Sequence, residues 1–130
     1  MTGRGEPRDP DFRARVEGSF ARQGLMATLG ARLERVEPGA VDIALVPGPA
    51  VSQQHGFVHA GAVAAIADSA AGYAALSLMA PATGVLTVEF KINLLAPATG
   101  AMVLARGRVV RAGRRLTVAQ AEVVSMDAPA

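Results

Sequence analysis

The chain has 130 residues, a net charge of +2, 51% hydrophobic and 18% charged side chains, and no cysteine. That length supports one hydrophobic core and is short for two, and the composition is that of a globular chain rather than a disordered one. The lack of cysteine excludes disulfides, thiolate catalysis and Cys-based zinc sites.

Residues 1–15 mix Arg4, Arg8, Arg13 and Arg15 with Glu6, Asp9 and Asp11 and hold no apolar run of signal-peptide length, so the expected location is cytoplasmic. Over 9–23, Phe12, Val16 and Phe20 recur every four residues among charged side chains. Asp9-Pro10 opens this amphipathic helix and Gly24 is expected to end it. The expected layout is an arm and helix over 1–23, then the main domain over 24–130, together forming a single domain. From Ala31 the pattern changes to alternation, predicting strands at 31–36 and 40–46 joined by a Pro38-Gly39 turn. Pro47-Gly48-Pro49 stops the second strand and opens a loop through Ser52, Gln53, Gln54, His55 and Gly56.

A long helix follows at 59–79. Ala60, Gly61, Ala64, Ala67, Ala71, Gly72, Ala74 and Ala75 leave its surface small, so a sheet can approach it closely, while Val63, Ile66 and Leu78 fill the remaining space. The stretch is about as long as a membrane span. Its weakly hydrophobic alanines, with Asp68, Ser69, Gly72 and Ser77, predict a buried helix and no membrane partner. Three strands are expected after Gly84, at 85–95, 102–111 and 115–126, the last two joined by an Ala112-Gly113 hairpin. Val103, Ala105, Gly107 and Val109 alternate with Met102, Arg106 and Arg108, so the small side would meet the helix. The sum is an α+β architecture, one antiparallel sheet curled around one central helix.

Asp68 is the only formally charged side chain between Asp42 and Glu89. A lone carboxylate in an alanine-rich segment is either desolvated at a cost of several kcal/mol or put to use, which makes it a candidate catalytic group. Desolvation would also strengthen it as a base. His55 and His59 are four apart, but Gly56 breaks the helix that would align them and no second carboxylate is near, so no metal is expected. His59, at the helix start, is read as a capping or packing group. Over 91–130, Lys91, Arg106, Arg108, Arg111, Arg114 and Arg115 face only Glu122 and Asp127. No aromatic side chain lies among the arginines to stack a base, so a compact phosphate ligand fits better than nucleic acid.

The run Gln53-Gln54-His55-Gly56-Phe57-Val58-His59-Ala60-Gly61, with Asp68 nine positions after His59 and then Thr87-Val-Glu-Phe-Lys-Ile-Asn93-Leu-Leu-Ala-Pro97, resembles the hotdog-fold thioesterases of the phenylacetate-degradation, PaaI-like type. The family pattern is Gly-x-x-His-Gly-Gly with an acid nine residues beyond the His. The resemblance implies a hotdog fold and an acyl-CoA thioesterase for aryl- or medium-chain acyl groups, working as a homodimer or homotetramer with no cofactor beyond the CoA of its substrate. It further implies that Asp68 attacks the thioester or activates water, that Gln53 orients the reacting group, and that the Ala60 N–H, in the His59-Ala60-Gly61 turn, holds the carbonyl oxygen. Asp68 and Ala60 lie more than two turns apart on one helix, too far to address one carbonyl, and the family pairs the acid of one subunit with the helix start of another. Asn93, Arg111, Gly113 and Arg114 are the positions implied for coenzyme A, although a solvated turn would also explain the arginines.

Three departures stand out. Ala60 replaces the first Gly of the triplet. Gly72 stands where some relatives carry a hydroxyl one turn past the acid, so a water-positioning contact is expected to be missing. The chain stops at Ala130, where relatives usually add another strand, so an edge strand is expected to be absent and 127–130 reads as a frayed tail. Two other readings are weighed: a non-catalytic acyl-CoA-binding module, and a hotdog enoyl-thioester hydratase with His55 or His59 at the substrate carbon.

Overall fold

A computed structural model describes residues 6–127. The four-residue apolar spacing forms α1 (Phe12–Arg22), with Val16 fully buried and Phe12 and Phe20 packed against the core. Gly24 does not simply terminate this segment. Gln23 leaves the helical region, and Gly24 begins a second short helix, α2 (Gly24–Leu29), that buries Met26. Gly30 then closes α2 at φ 69°, a left-handed cap that glycine adopts without a Cβ penalty.

Strands β1 (Arg32–Glu37) and β2 (Ala40–Leu45) form the expected hairpin, with Gly39 at φ 72° in its turn. β3 (Met102–Ala112) and β4 (Thr117–Met126) form the second. β2 pairs with β3, giving one antiparallel sheet in the order β1-β2-β3-β4. The central helix, α3 (Ala60–Leu76), packs on β2, β3 and β4. Ile66, Ala70 and Ala74 of α3 are fully buried, as are Ile43, Val103 and Ala105 of the sheet.

The helix meets the sheet most tightly at Gly107. A Cβ placed there would lie 2.3 Å from the carbonyl carbon and oxygen of Ala70, which means backbone packs on backbone. At the far end of α3, the buried Ser77 hydroxyl donates to Ala74 O (2.6 Å) and accepts from Gly39 N (2.8 Å), joining the helix to the β1–β2 turn. No described helix is long and apolar enough to cross a membrane.

The segment 85–95 departs from the sequence expectation. It forms no ladder, and Leu86 and Val88 are 91% and 79% exposed. Alternating apolar residues hold a strand only when another strand lies alongside, and among the described residues none does. β4 is the edge of the sheet, separated from this segment by an open cleft. The end of the predicted tail, 128–130, lies outside the described residues.

These contacts separate two glycines. Gly107→Ala is expected to lower unfolding free energy in urea by about 1–3 kcal/mol or more, the range for overpacking. Gly72→Ala, whose Cβ would meet only Val85 Cγ1 at 3.9 Å, should be neutral or stabilising by about 0.5–1 kcal/mol because it removes a glycine from a helix interior.

Candidate active site

The loop before α3 is bonded to itself. Gln53 N donates to Phe57 O (2.8 Å), Gly56 N donates to Gln53 O (3.0 Å), and Ser52 pairs with Val58 across it. Gly56, at φ 89°, makes the turn. The Gln53 side-chain oxygen accepts from His55 N (2.6 Å) and Phe57 N (3.2 Å), so this end of the amide shapes the loop. Its amide nitrogen remains for another partner.

His59 caps α3. Its Nδ1 accepts from Gly61 N at 2.7 Å, so the ring proton belongs on Nε2, and its carbonyl accepts from Ala62 N and Val63 N. The ring fits because residue 61 is glycine, since a Cβ there would sit 2.9 Å from Nδ1. Of the first four N–H groups of the helix, only that of Ala60 has no acceptor among the described residues, and Ala60 is exposed. A free N–H at the positive end of a helix is a ready donor to a developing oxyanion.

Asp68 lies eight residues along the same helix, about 12 Å from Ala60 at the helical rise. It is half-buried, and its Oδ1 accepts from the Thr87 hydroxyl at 2.6 Å. Gly72 indeed offers no hydroxyl, but one reaches Asp68 from outside the helix. Thr87 was not singled out in the sequence because, inside an alternating run, it reads as an ordinary strand residue. The signal available was its polarity among Leu86, Val88 and Phe90.

Two clefts meet at Asp68. The larger, about 1510 Å³, lies between α3, the segment 84–98 and β4, and is lined by Gln53, Ala60, Asp68, Thr87, Asn93 and Arg115 among others. The smaller, about 400 Å³, opens between α1 and α3 beside Ser19, Gln23, Ser69 and Tyr73. These four form one hydrogen-bonded string: Ser69 Oγ to Gln23 Oε1, Gln23 Nε2 to Tyr73 Oη, and Tyr73 Oη with Ser19 Oγ, at 3.2, 3.0 and 3.1 Å.

The large cleft therefore brings together Gln53, Ala60, Asp68 and Asn93, whereas His59, Gly61, Arg111, Gly113 and Arg114 do not line it. The arginines sit on the exposed β3–β4 hairpin, where Gly113 N donates to Leu116 O at 2.9 Å. Arg111, Arg114 and Arg115 have no ion-pair partner among the described residues. No group of three or more His, Asp or Glu side chains suited to a metal ion occurs among the described residues.

The thioesterase superfamily matches residues 55–128 of this chain. A thioesterase family protein from Silicibacter pomeroyi is 50% identical over 89% of this chain and 85% of its own, with a TM-score of 0.87. A putative thioesterase related to phenylacetic acid degradation, from Ralstonia eutropha, superposes at a TM-score of 0.77 with 21% identity, covering 88% of each chain. The E. coli PaaI protein of the phenylacetic acid degradation operon gives 0.79 with 18% identity over 88% of this chain and 81% of its own. Comparison with curated proteins finds no match. The chain belongs to the thioesterase superfamily. It is a thioester hydrolase with the hotdog fold, and the PaaI-type resemblance read from the sequence holds.

Removing the cap should cost stability. His59→Ala is expected to lower unfolding free energy by about 0.5–2 kcal/mol, with His59→Asn restoring most of it, as thermal and urea denaturation would show.

Proposed function

We propose that this protein hydrolyses aryl- or medium-chain acyl-CoA thioesters to free acid and CoA in the cytoplasm, as a homodimer or homotetramer. The observation that carries the reading is Asp68, held by Thr87 on the wall of the large cleft that also contains the free Ala60 N–H.

Asp68 acts at the thioester carbonyl carbon, as nucleophile or as the base that takes a proton from water. In the second route the water oxygen bonds to that carbon, the carbonyl π pair moves onto oxygen, and the tetrahedral oxyanion is held by an Ala60 N–H. Collapse of the intermediate breaks the carbon–sulfur bond, and CoA leaves as its thiol once protonated. The distance of about 12 Å between Ala60 and Asp68 along one helix favours a site whose acid and oxyanion donor come from different subunits. The bare row Leu86, Val88 and Phe90 supplies an apolar surface suited to such an interface. Gln53 positions the thioester through its free amide nitrogen. Asn93 and Arg115 within the cleft, and Arg111 and Arg114 beside Gly113 at the hairpin, receive the phosphates of CoA.

A hydratase is less well supported. The His59 ring is engaged as the helix cap, and His55 is exposed outside the cleft lining.

Thiol release from benzoyl-CoA and a straight-chain acyl-CoA panel tests the reading. Asp68→Asn should keep the fold and lower kcat by about two to four orders of magnitude. Ala60→Pro, at a helix position that tolerates proline and after a residue already at ψ 136°, should fold yet lose about 10²–10³-fold in kcat. Co-assembled Asp68→Asn and Ala60→Pro chains should recover about a quarter of wild-type activity, because each mixed dimer holds one intact site. Tight CoA-ester binding without turnover by the wild type would instead mark a binding module, and an inactive mixture would refute a shared site.

A further inference from the structure

The segment that carries Thr87 is thinly attached. Among the described residues, the Thr87–Asp68 bond is the only hydrogen bond made by any residue of 84–97. Its downstream end is tied by Val58 N to Ala98 O at 3.0 Å. Its upstream end is tied by the local bond from the Thr83 hydroxyl to Ala80 O (2.6 Å) and, from outside the segment, by Arg15 of α1.

The Arg15 guanidinium donates to Met79 O (3.3 Å) and Ala80 O (3.0 Å), to Thr83 Oγ1 (3.0 Å) and to Thr83 O. Asp9, itself buried, holds the guanidinium from behind through Oδ2 at 3.3 Å. One planar fork thus fixes the turn that leaves α3, from Met79 to Thr83, four residues before Thr87. Four residues of free chain can span about 14 Å, far more than the few tenths of an ångström a hydrogen bond tolerates. The smaller cleft runs along this seam, between Arg15, Thr83, Thr87 and Asp68.

We propose that Arg15 is a positioning residue for the hydrolytic reaction, acting through Thr87 on Asp68. The inference rests on Asp68 being the reactive carboxylate. Arg15 touches neither substrate nor Asp68. By fixing the turn through Thr83, it sets where the Thr87 hydroxyl stands and hence which way the Asp68 carboxylate faces. Lysine places its three donors on one nitrogen and does not reproduce a fork whose Nη1 serves Met79 and Ala80 while Nη2 serves Thr83.

The test compares wild type, Arg15→Met, Arg15→Lys, Thr87→Val and the Arg15→Met/Thr87→Val double variant, with benzoyl-CoA and hexanoyl-CoA as substrates. Arg15→Met is expected to lower kcat about tenfold with KM within about twofold, and Arg15→Lys to recover only part of the loss. In the Thr87→Val background Arg15→Met should cost less than about twofold more, because its route is already cut. Losses that multiply in the double variant, or an unchanged kcat in Arg15→Met, would overturn the proposal. Should Arg15→Met fail to fold, Arg15→Lys against Thr87→Val carries the same comparison. Limited proteolysis with thermolysin provides a readout independent of turnover: faster cleavage before Leu86 and Val88 in Arg15→Met, with β2 and β3 uncut, is expected, and unchanged cleavage there overturns the role of Arg15. If the wild type leaves both thioesters intact, the substrate reading fails, while the proteolysis data still decide the role of Arg15.

Discussion

Backbone-to-backbone contact between α3 and β3 is the constraint on which the remaining structure depends. At Gly107 the sheet comes so near to Ala70 that no side-chain carbon fits between them. Everything on the sheet side of the helix must accordingly be small or well seated, and Ile66, Ala70 and Ala74 are fully buried there. Such close packing holds α3 by shape and dispersion over many short contacts rather than by a few large side chains. The helix held in this way carries both the Ala60 N–H and Asp68.

Polar groups around the helix are allotted with similar economy. The hydrogen-bond capacity at the start of α3 is nearly used up by His59, whose ring and carbonyl take the N–H groups of Gly61, Ala62 and Val63. What remains is one donor facing the cleft. At the other end Ser77 satisfies Gly39, and beyond it Arg15 gathers the carbonyls of Met79 and Ala80. Termini of helices expose unpaired backbone groups by geometry. In this protein the N-terminal one left over is that of Ala60, which lines the large cleft.

The sequence was most legible where a local rule and the tertiary contact agree. Phe12, Val16 and Phe20, the Pro38-Gly39 hairpin and the small face of β3 each show a periodicity that the packing then uses. The His59-Ala60-Gly61 turn and the isolated Asp68 were also readable, the former through spacing and the latter through its lack of charged neighbours. Legibility failed for 85–95, because alternation reports that a segment suits a sheet without reporting whether a partner strand is present. It failed for Thr87 and for the Gly24 helix as well. Thr87 meets Asp68 across nineteen positions of chain, and a glycine at a helix start looks the same in sequence as one at a helix end.

The close contact at Gly107 also leaves the two sides of α3 unequal in what they tolerate. On the sheet side an added methyl group meets main chain, whereas on the side facing the cleft a Cβ at Gly72 would meet only Val85 Cγ1 at 3.9 Å. The opposite wall is built from 84–98, Leu116 and β4, where Leu86, Val88 and Leu116 are exposed. The lining of the cleft is therefore free to vary on both of its sides, and the helix is held in place only along the seam where it meets β3.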